Sequence, residues 1–232
     1  MAAFKVFKQT FDKPPRITYR SVGFMAHAMA HSKTRRQILR AALKHFANAG
    51  YAATSVQSIV DDAKVSKPAL YYHFQDKAAL FEALVNEAHD ERFEVAQQAA
   101  ARGRGLRGQL VEVLSALFDY FHKNRDLTRI AFATAFAAPG EVPPNLCYPD
   151  KCQRNFEAVH SLFKQALARG ELDRHFDSLE LAYGFYGQGN FYIVSHLMMP
   201  NYRLDRRAAG RIVDLFLAGA GAKKKRKGKG KL

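Results

Sequence analysis

The sequence predicts an all-α protein: three short helices near the N-terminus, followed by a larger C-terminal helical bundle. Three observations carry this expectation. Apolar residues recur every three to four positions from Ile38 to Leu217. Capping and turn residues stand where these stripes begin and end. No stretch of useful length alternates apolar and polar residues, as a half-buried strand would.

The first helix is read from Ile38, Leu39, Ala42, Leu43 and Phe46, a single stripe that ends at Asn48-Ala49-Gly50. Thr54 is the expected N-cap of the second, with Gln57 three residues on to complete a capping box. Val56, Ile59, Val60 and Ala63 are the apolar face of that helix. After the turn Lys64-Val65, Ser66 caps a helix of barely two turns, with Pro68 tolerated in its first turn. So short a helix is marginal alone, and its role must lie in what it presents. At 100° per residue Leu70 and Phe74 point inward with Val65, while Pro68, Ala69 and Tyr72 point away and Tyr71 and His73 flank them. Lys67 stands at the exposed N-terminal end. Lysine, phenolic hydroxyls and backbone N–H groups hold phosphates, and small apolar surfaces meet thymine methyls, so this face suits the DNA major groove.

The residues Ile38-Leu39, Ala41-Ala42, Phe46, Gly50-Tyr51, Thr54-Ser55-Val56, Ile59-Val60, Ala63, Val65-Ser66-Lys67, Ala69-Leu70-Tyr71, His73-Phe74, Lys77 and Leu80 resemble, in this spacing, the helix-turn-helix domain of TetR-type transcriptional repressors. The chain departs from that pattern at Lys64, where glycine is usual, so a non-glycine residue is expected at positive φ. The resemblance implies a homodimer that places one recognition helix per subunit on a double-stranded operator, and a C-terminal domain whose small-molecule effector releases the DNA. It also implies the contact set: Ser66, Lys67, Pro68, Ala69, Tyr71, Tyr72 and His73 on the recognition helix, with Thr34, Thr54 and Lys77 holding phosphates.

On these readings residues 1–31 form a basic extension, 32–78 the DNA-binding domain, 79–222 a ligand-binding and dimerisation domain, and 223–232 a Lys-rich tail. Asp76 caps a long helix expected through Lys77–Ala101. Further stripes run over Leu110–Phe121 and Leu127–Phe136, then from Phe156 to Leu167, with a Pro-rich loop Ala138–Pro149 before the last of these. Leu179–Leu197 and Ala208–Leu217 complete the set. The helix Leu179–Leu197 mixes five aromatic residues with Gly184, Gly187 and Gly189. Each glycine costs a helix interior about 1 kcal/mol, which close approach of a symmetry mate or room for a ligand would justify. By the resemblance, Phe118, Phe121, His122, Phe132, Phe136, Phe163, Tyr186 and Asn190 line a pocket for a mainly apolar or aromatic molecule.

Charge is distributed unevenly. Of the formal +15 at pH 7, the run KKKRKGKGKL at 223–232 supplies seven positive charges. That tail is either a solvated end or a source of non-specific attraction to nucleic acid through counterion release. Residues 1–31 are either a basic arm that touches phosphates or a segment ahead of a later start at Met25 or Met29. No apolar run reaches the ~18 residues that span a bilayer, so no membrane partner is expected, and a cytoplasmic protein is.

Catalytic and metal signals fail. Gly103-Arg104-Gly105-Leu106-Arg107-Gly108 fits a dinucleotide fingerprint by letter but follows a helix rather than a strand. Cys147, Cys152 and His160 lack a fourth zinc ligand, and two reduced, inert thiols are expected. No enzyme, cofactor or metal is therefore expected. The alternative to a ligand-responsive repressor is a helical protein–protein adaptor whose Tyr-rich helix docks on a partner.

Overall fold

The computed structural model describes residues 19–143, 146, 149–199 and 202–220, with side chains from residue 33 onward. Expectations for residues 1–18, Cys147 and the tail 223–232 lie outside the described residues. Among those residues lie nine helices: α1 (Tyr19–Ala53), α2 (Val56–Ala63), α3 (Lys67–His73), α4 (Lys77–Arg102), α5 (Gly105–Lys123), α6 (Arg125–Ala135), α7 (Pro149–Ala168), α8 (Ser178–Met198) and α9 (Arg206–Ala220). The all-α expectation holds. α1 begins at Tyr19 and runs through residue 31 without a break.

Gly50, at φ 77°, breaks α1 where the sequence stripe ends. Its freed carbonyl accepts the Thr54 hydroxyl at 2.7 Å. Thr54 is thereby turned inward and buried, and the expected capping box does not form. Ser55 caps α2 instead, its Oγ accepting from the Ser58 N–H at 3.0 Å, while Gln57 donates to Asp61 at 2.7 Å. Lys64 ends α2 in the left-handed region at φ 54°, as the departure from glycine predicted. Ser66 then caps α3, accepting from Ala69 N–H at 3.3 Å.

Two apolar cores result, and they do not divide at residue 78. The first gathers Ile38, Ala42 and Phe46 of α1, Ile59 and Val60 of α2 and Leu70 of α3, but also Leu80, Phe81, Leu84, Val85 and Ala88 of α4 and Leu127 and Ile130 of α6. The second packs α5 and α7–α9 around Leu110, Leu114, Phe118, Phe121, Phe163 and Phe185, with Ala99 from the far end of α4. The module of α1–α3 is therefore completed by helices that belong, in sequence, to the body. An ion pair at 2.8 Å between Arg35 of α1 and Glu87 of α4 lies across the same seam.

One of the three glycines of α8 serves this chain's own packing: a Cβ on Gly189 would stand a tight 3.2 Å from Leu114 Cδ1. At Gly184 a Cβ would meet the Phe216 ring at an ordinary 3.4 Å, and Gly187 has open space before it. Gly103 and Gly105 link α4 to α5, a helix-to-helix turn with no strand before it, and the fingerprint reading falls.

Replacing Lys64 by Gly should stabilise the chain by about 0.5–1 kcal/mol. An L-residue in the left-handed region costs about 1–2 kcal/mol, against a smaller entropic cost for glycine. A lower denaturant midpoint for Lys64→Gly would refute this.

Candidate nucleic-acid interface and a ligand cavity

The presenting helix α3 is held from behind. Leu70 is fully buried, Phe74 nearly so, and the Arg35 guanidinium covers the Phe74 ring at 5.3 Å from its centroid. Outward stand Ser66, Lys67 and Pro68, with Tyr71 at 50% and Tyr72 at 69% exposure; Ala69 and His73 are half-buried. Large aromatic residues this exposed are costly on a monomer surface and mark a surface built to meet something. The Tyr72 ring packs edge-on against His73 at 5.4 Å, which orients both. Seven expected DNA-contacting residues thus share one short, capped helix.

The three expected phosphate ligands outside α3 fare differently. Thr54 is buried and its hydroxyl is spent on Gly50, so it offers nothing to a phosphate. Lys77 is a clamp within the chain. Its ammonium donates to the carbonyls of Tyr51 and Thr54, each at 2.9 Å, and sits 4.4 Å from the Tyr51 ring centroid. A cation so placed neutralises the carbonyl end of α1 and joins it to α4. Thr34 is half-buried well inside α1, away from any helix end. The sequence reading missed Ser55, exposed at the start of α2, and the half-buried Ser58 that it caps.

The second feature is a cavity of about 660 Å³ between α4, α6, α7 and α8, within the range of small-molecule sites. Phe132, Phe136, Tyr186 and Asn190 line it as expected. Phe118, Phe121 and Phe163 do not: each is essentially fully buried in the second core. His122 turns the other way, its Nε2 lying 2.8 Å from the Leu204 carbonyl oxygen. Their places are taken by His89, Arg92, Cys152, Gln153, Phe156, Tyr183 and Phe191. Phe156 packs on Tyr183 and Tyr186 at 4.6 and 5.7 Å between ring centroids, making an aromatic wall from α7 and α8. His160 faces Glu157 at 3.0 Å and Ser178 at 2.9 Å, not Cys152.

At one end of the cavity, α4 and α7 are joined by charge. Asp90 takes Lys151 and Arg154 of α7 together, the latter at 2.8 Å, and this holds its carboxyl below the usual range. Asn155 of the same helix donates to the His89 carbonyl at 3.1 Å. His89 itself is buried, and desolvation, with the nearby cations Arg92, Lys151 and Arg154, lowers its pKa to about 4. It is a neutral imidazole at neutral pH.

Comparison with known proteins agrees with this geometry. Residues 38–84 match the family model described as bacterial regulatory proteins, tetR family. The HTH-type transcriptional regulator YuxN of Bacillus subtilis is 28% identical over 147 residues, which are 63% of this chain and 45% of that protein. The transcriptional activator FasR of Mycolicibacterium smegmatis is 30% identical over 114 residues, 49% of this chain and 52% of its own. The matches thus span about half the length of these curated relatives. Among solved structures, the regulator FadR from Bacillus subtilis in complex with stearoyl-CoA superimposes with a TM-score of 0.67 at 18% identity, covering 79% of this chain and 98% of that one.

The buried imidazole sets a pH dependence. Its folded pKa of about 4 lies below the ordinary 6.5, so between these values the unfolded chain binds more protons and stability falls as pH falls. From pH 7 to pH 5 the loss through this group is about 2 kcal/mol. His89→Gln should melt with a correspondingly shallower pH slope over that window. Parallel slopes for variant and parent would show that His89 is not the group responsible.

Proposed function

Because this chain belongs to the TetR family of bacterial regulatory proteins, we propose that it is a transcriptional repressor that a small, mainly apolar or aromatic effector releases from its operator. One observation carries the reading. The cavity and the DNA-presenting module share two helices. α4 gives His89 and Arg92 to the cavity and Leu80, Phe81, Leu84, Val85 and Ala88 to the core beneath α2 and α3; α6 gives Phe132 to the one and Leu127 and Ile130 to the other. A molecule that prefers one position of α4 and α6 biases the seat of the recognition helix, which is the differential contact a ligand-driven switch requires.

The DNA-reading residues are Lys67, Tyr71, Tyr72 and His73, with Ser66, Pro68 and Ala69 completing the surface; Ser55 takes the capping place expected of Thr54. The working form is a homodimer. Two major-groove readers must stand about 34 Å apart, and a single module cannot hold that spacing. The exposed apolar side chains Leu179 and Met198 of α8 and Leu215 of α9, outside the cavity lining, support a self-complementary face. Phe216 is less suited to test it, because its ring packs within the chain on Phe163 and Phe185 at 5.8 and 5.5 Å.

A gel shift on the DNA upstream of its own gene, with scrambled competitor, tests the reading directly. Tyr72→Ala should weaken operator binding by about 1–3 kcal/mol and binding to random DNA much less. Equal loss on both would mean that Tyr72 positions the helix without reading bases, and no shift at all would favour the adaptor. Leu215→Glu should yield monomers by sedimentation, with operator binding lost and melting temperature little changed; a dimer that survives it places the interface elsewhere.

A further inference from the structure

The cavity wall is apolar and aromatic, yet one ionised side chain stands in it. Arg92 of α4 lines the cavity with its guanidinium 5.9 Å from the Phe132 ring centroid. Among the described residues no carboxylate lies within ion-pair distance of it. The adjacent Glu91 accepts from the Tyr120 hydroxyl at 3.0 Å instead. Its surroundings are cationic rather than compensating: Lys151 and Arg154 share the single carboxylate of Asp90. Around the buried His89 the same three cations, Arg92, Lys151 and Arg154, face the one carboxylate of Asp90. His89 and Asn190 add neutral polar groups to the wall, and no lining residue is an acid.

A guanidinium left against aromatic rings without a counter-charge is costly once water is expelled, unless the incoming molecule supplies the anion. We propose, on the reading of this cavity as the effector site, that it takes an organic carboxylate: an aryl or acyl body among Phe132, Phe156, Tyr183 and Tyr186, with the carboxylate on Arg92. A neutral molecule of the same shape fills the rings but leaves Arg92 unpaired, and a cation is repelled.

Calorimetric titration of the full chain separates these cases. The probes are 2-naphthoate with its methyl ester, and decanoate with 1-decanol and decylamine. The wild type should bind each carboxylate about ten- to a hundredfold more tightly than its neutral counterpart, the range of a charged hydrogen bond, and decylamine more weakly still. The naphthyl and decyl arms show which body fits. Arg92→Gln should erase the preference for the anion while leaving the neutral probes unchanged, and Arg92→Lys should restore part of it. Equal wild-type affinity for acid and neutral probe overturns the proposal, and this arm needs no variant to fold. So does a preference that survives in Arg92→Gln, or failure of both carboxylates to bind at millimolar concentration. Carboxylates that bind but leave operator affinity unchanged would uphold the anion site and sink the effector reading instead.

Discussion

Everything in this fold depends on α4 being one unbroken helix that packs into two cores. Its 26 residues run about 39 Å at 1.5 Å per residue. The first three turns are buried with α1, α2 and α3, and the far end reaches Ala99 in the body. Between them His89 and Arg92 look into the cavity. A continuous helix transmits displacement because bending it breaks backbone hydrogen bonds, whereas side-chain packing at either end has discrete alternatives. Asp76 fixes where it starts, its carboxylate accepting from Ala79 N–H at 2.7 Å. Lys77 then ties that start to the end of α1 through carbonyl oxygens. Phe81 meets the Phe46 and Tyr51 rings edge to face beside this clamp, each at 5.1 Å between centroids. The module that presents α3 is thus seated on a helix that also lines the cavity.

The seating explains why so short a helix as α3 persists. Seven residues with one fully buried side chain do not make a stable helix in water. Its stability is borrowed from the Ser66 cap, the left-handed turn at Lys64 and the aromatic contact of Arg35 over Phe74. That dependence leaves Lys67, Tyr71 and Tyr72 on an outward face that folding does not use.

The module was legible in the sequence because local rules decide it. Stripes of Ile38–Phe46 and Val56–Ala63, a cap at Ser66, a glycine stop at Gly50 and an anomalous Lys64 each act within a few residues, and the structure keeps them. The errors fall where a side chain's role depends on distant backbone. Thr54 and Lys77 look like surface hydrogen-bonding groups until the C-terminal carbonyls of α1 are seen beside them. The pocket aromatics show the same limit. Phe118, Phe121 and Phe163 share periodicity and chemistry with Phe132 and Phe156, and a helical stripe does not say whether its neighbour is another side chain or empty space. Gly189, one of the three unusual glycines of α8, answers to Leu114, a contact far away in sequence that no local pattern encodes.

The charged corner between α4 and α7 shows how polar groups accompany an apolar cavity without filling it. Asp90 gathers two cations from one turn of α7, and the neighbouring Asn155 reaches the His89 carbonyl, so three polar contacts fix the two helices side by side. Burial keeps His89 neutral, which spares the cavity a further charge. Arg92 sits one turn along α4, beyond the reach of Asp90 and against the Phe132 ring of α6. Its partial solvation and the face of that ring tolerate the cation while the cavity is open. The one mobile-ended charge of the wall therefore bridges the two helices that also underlie the DNA-presenting face. Both helices also carry first-core side chains, Leu80, Phe81, Leu84, Val85 and Ala88 on α4 and Leu127 and Ile130 on α6, so packing at the cavity and packing in that core are set by the same two backbones.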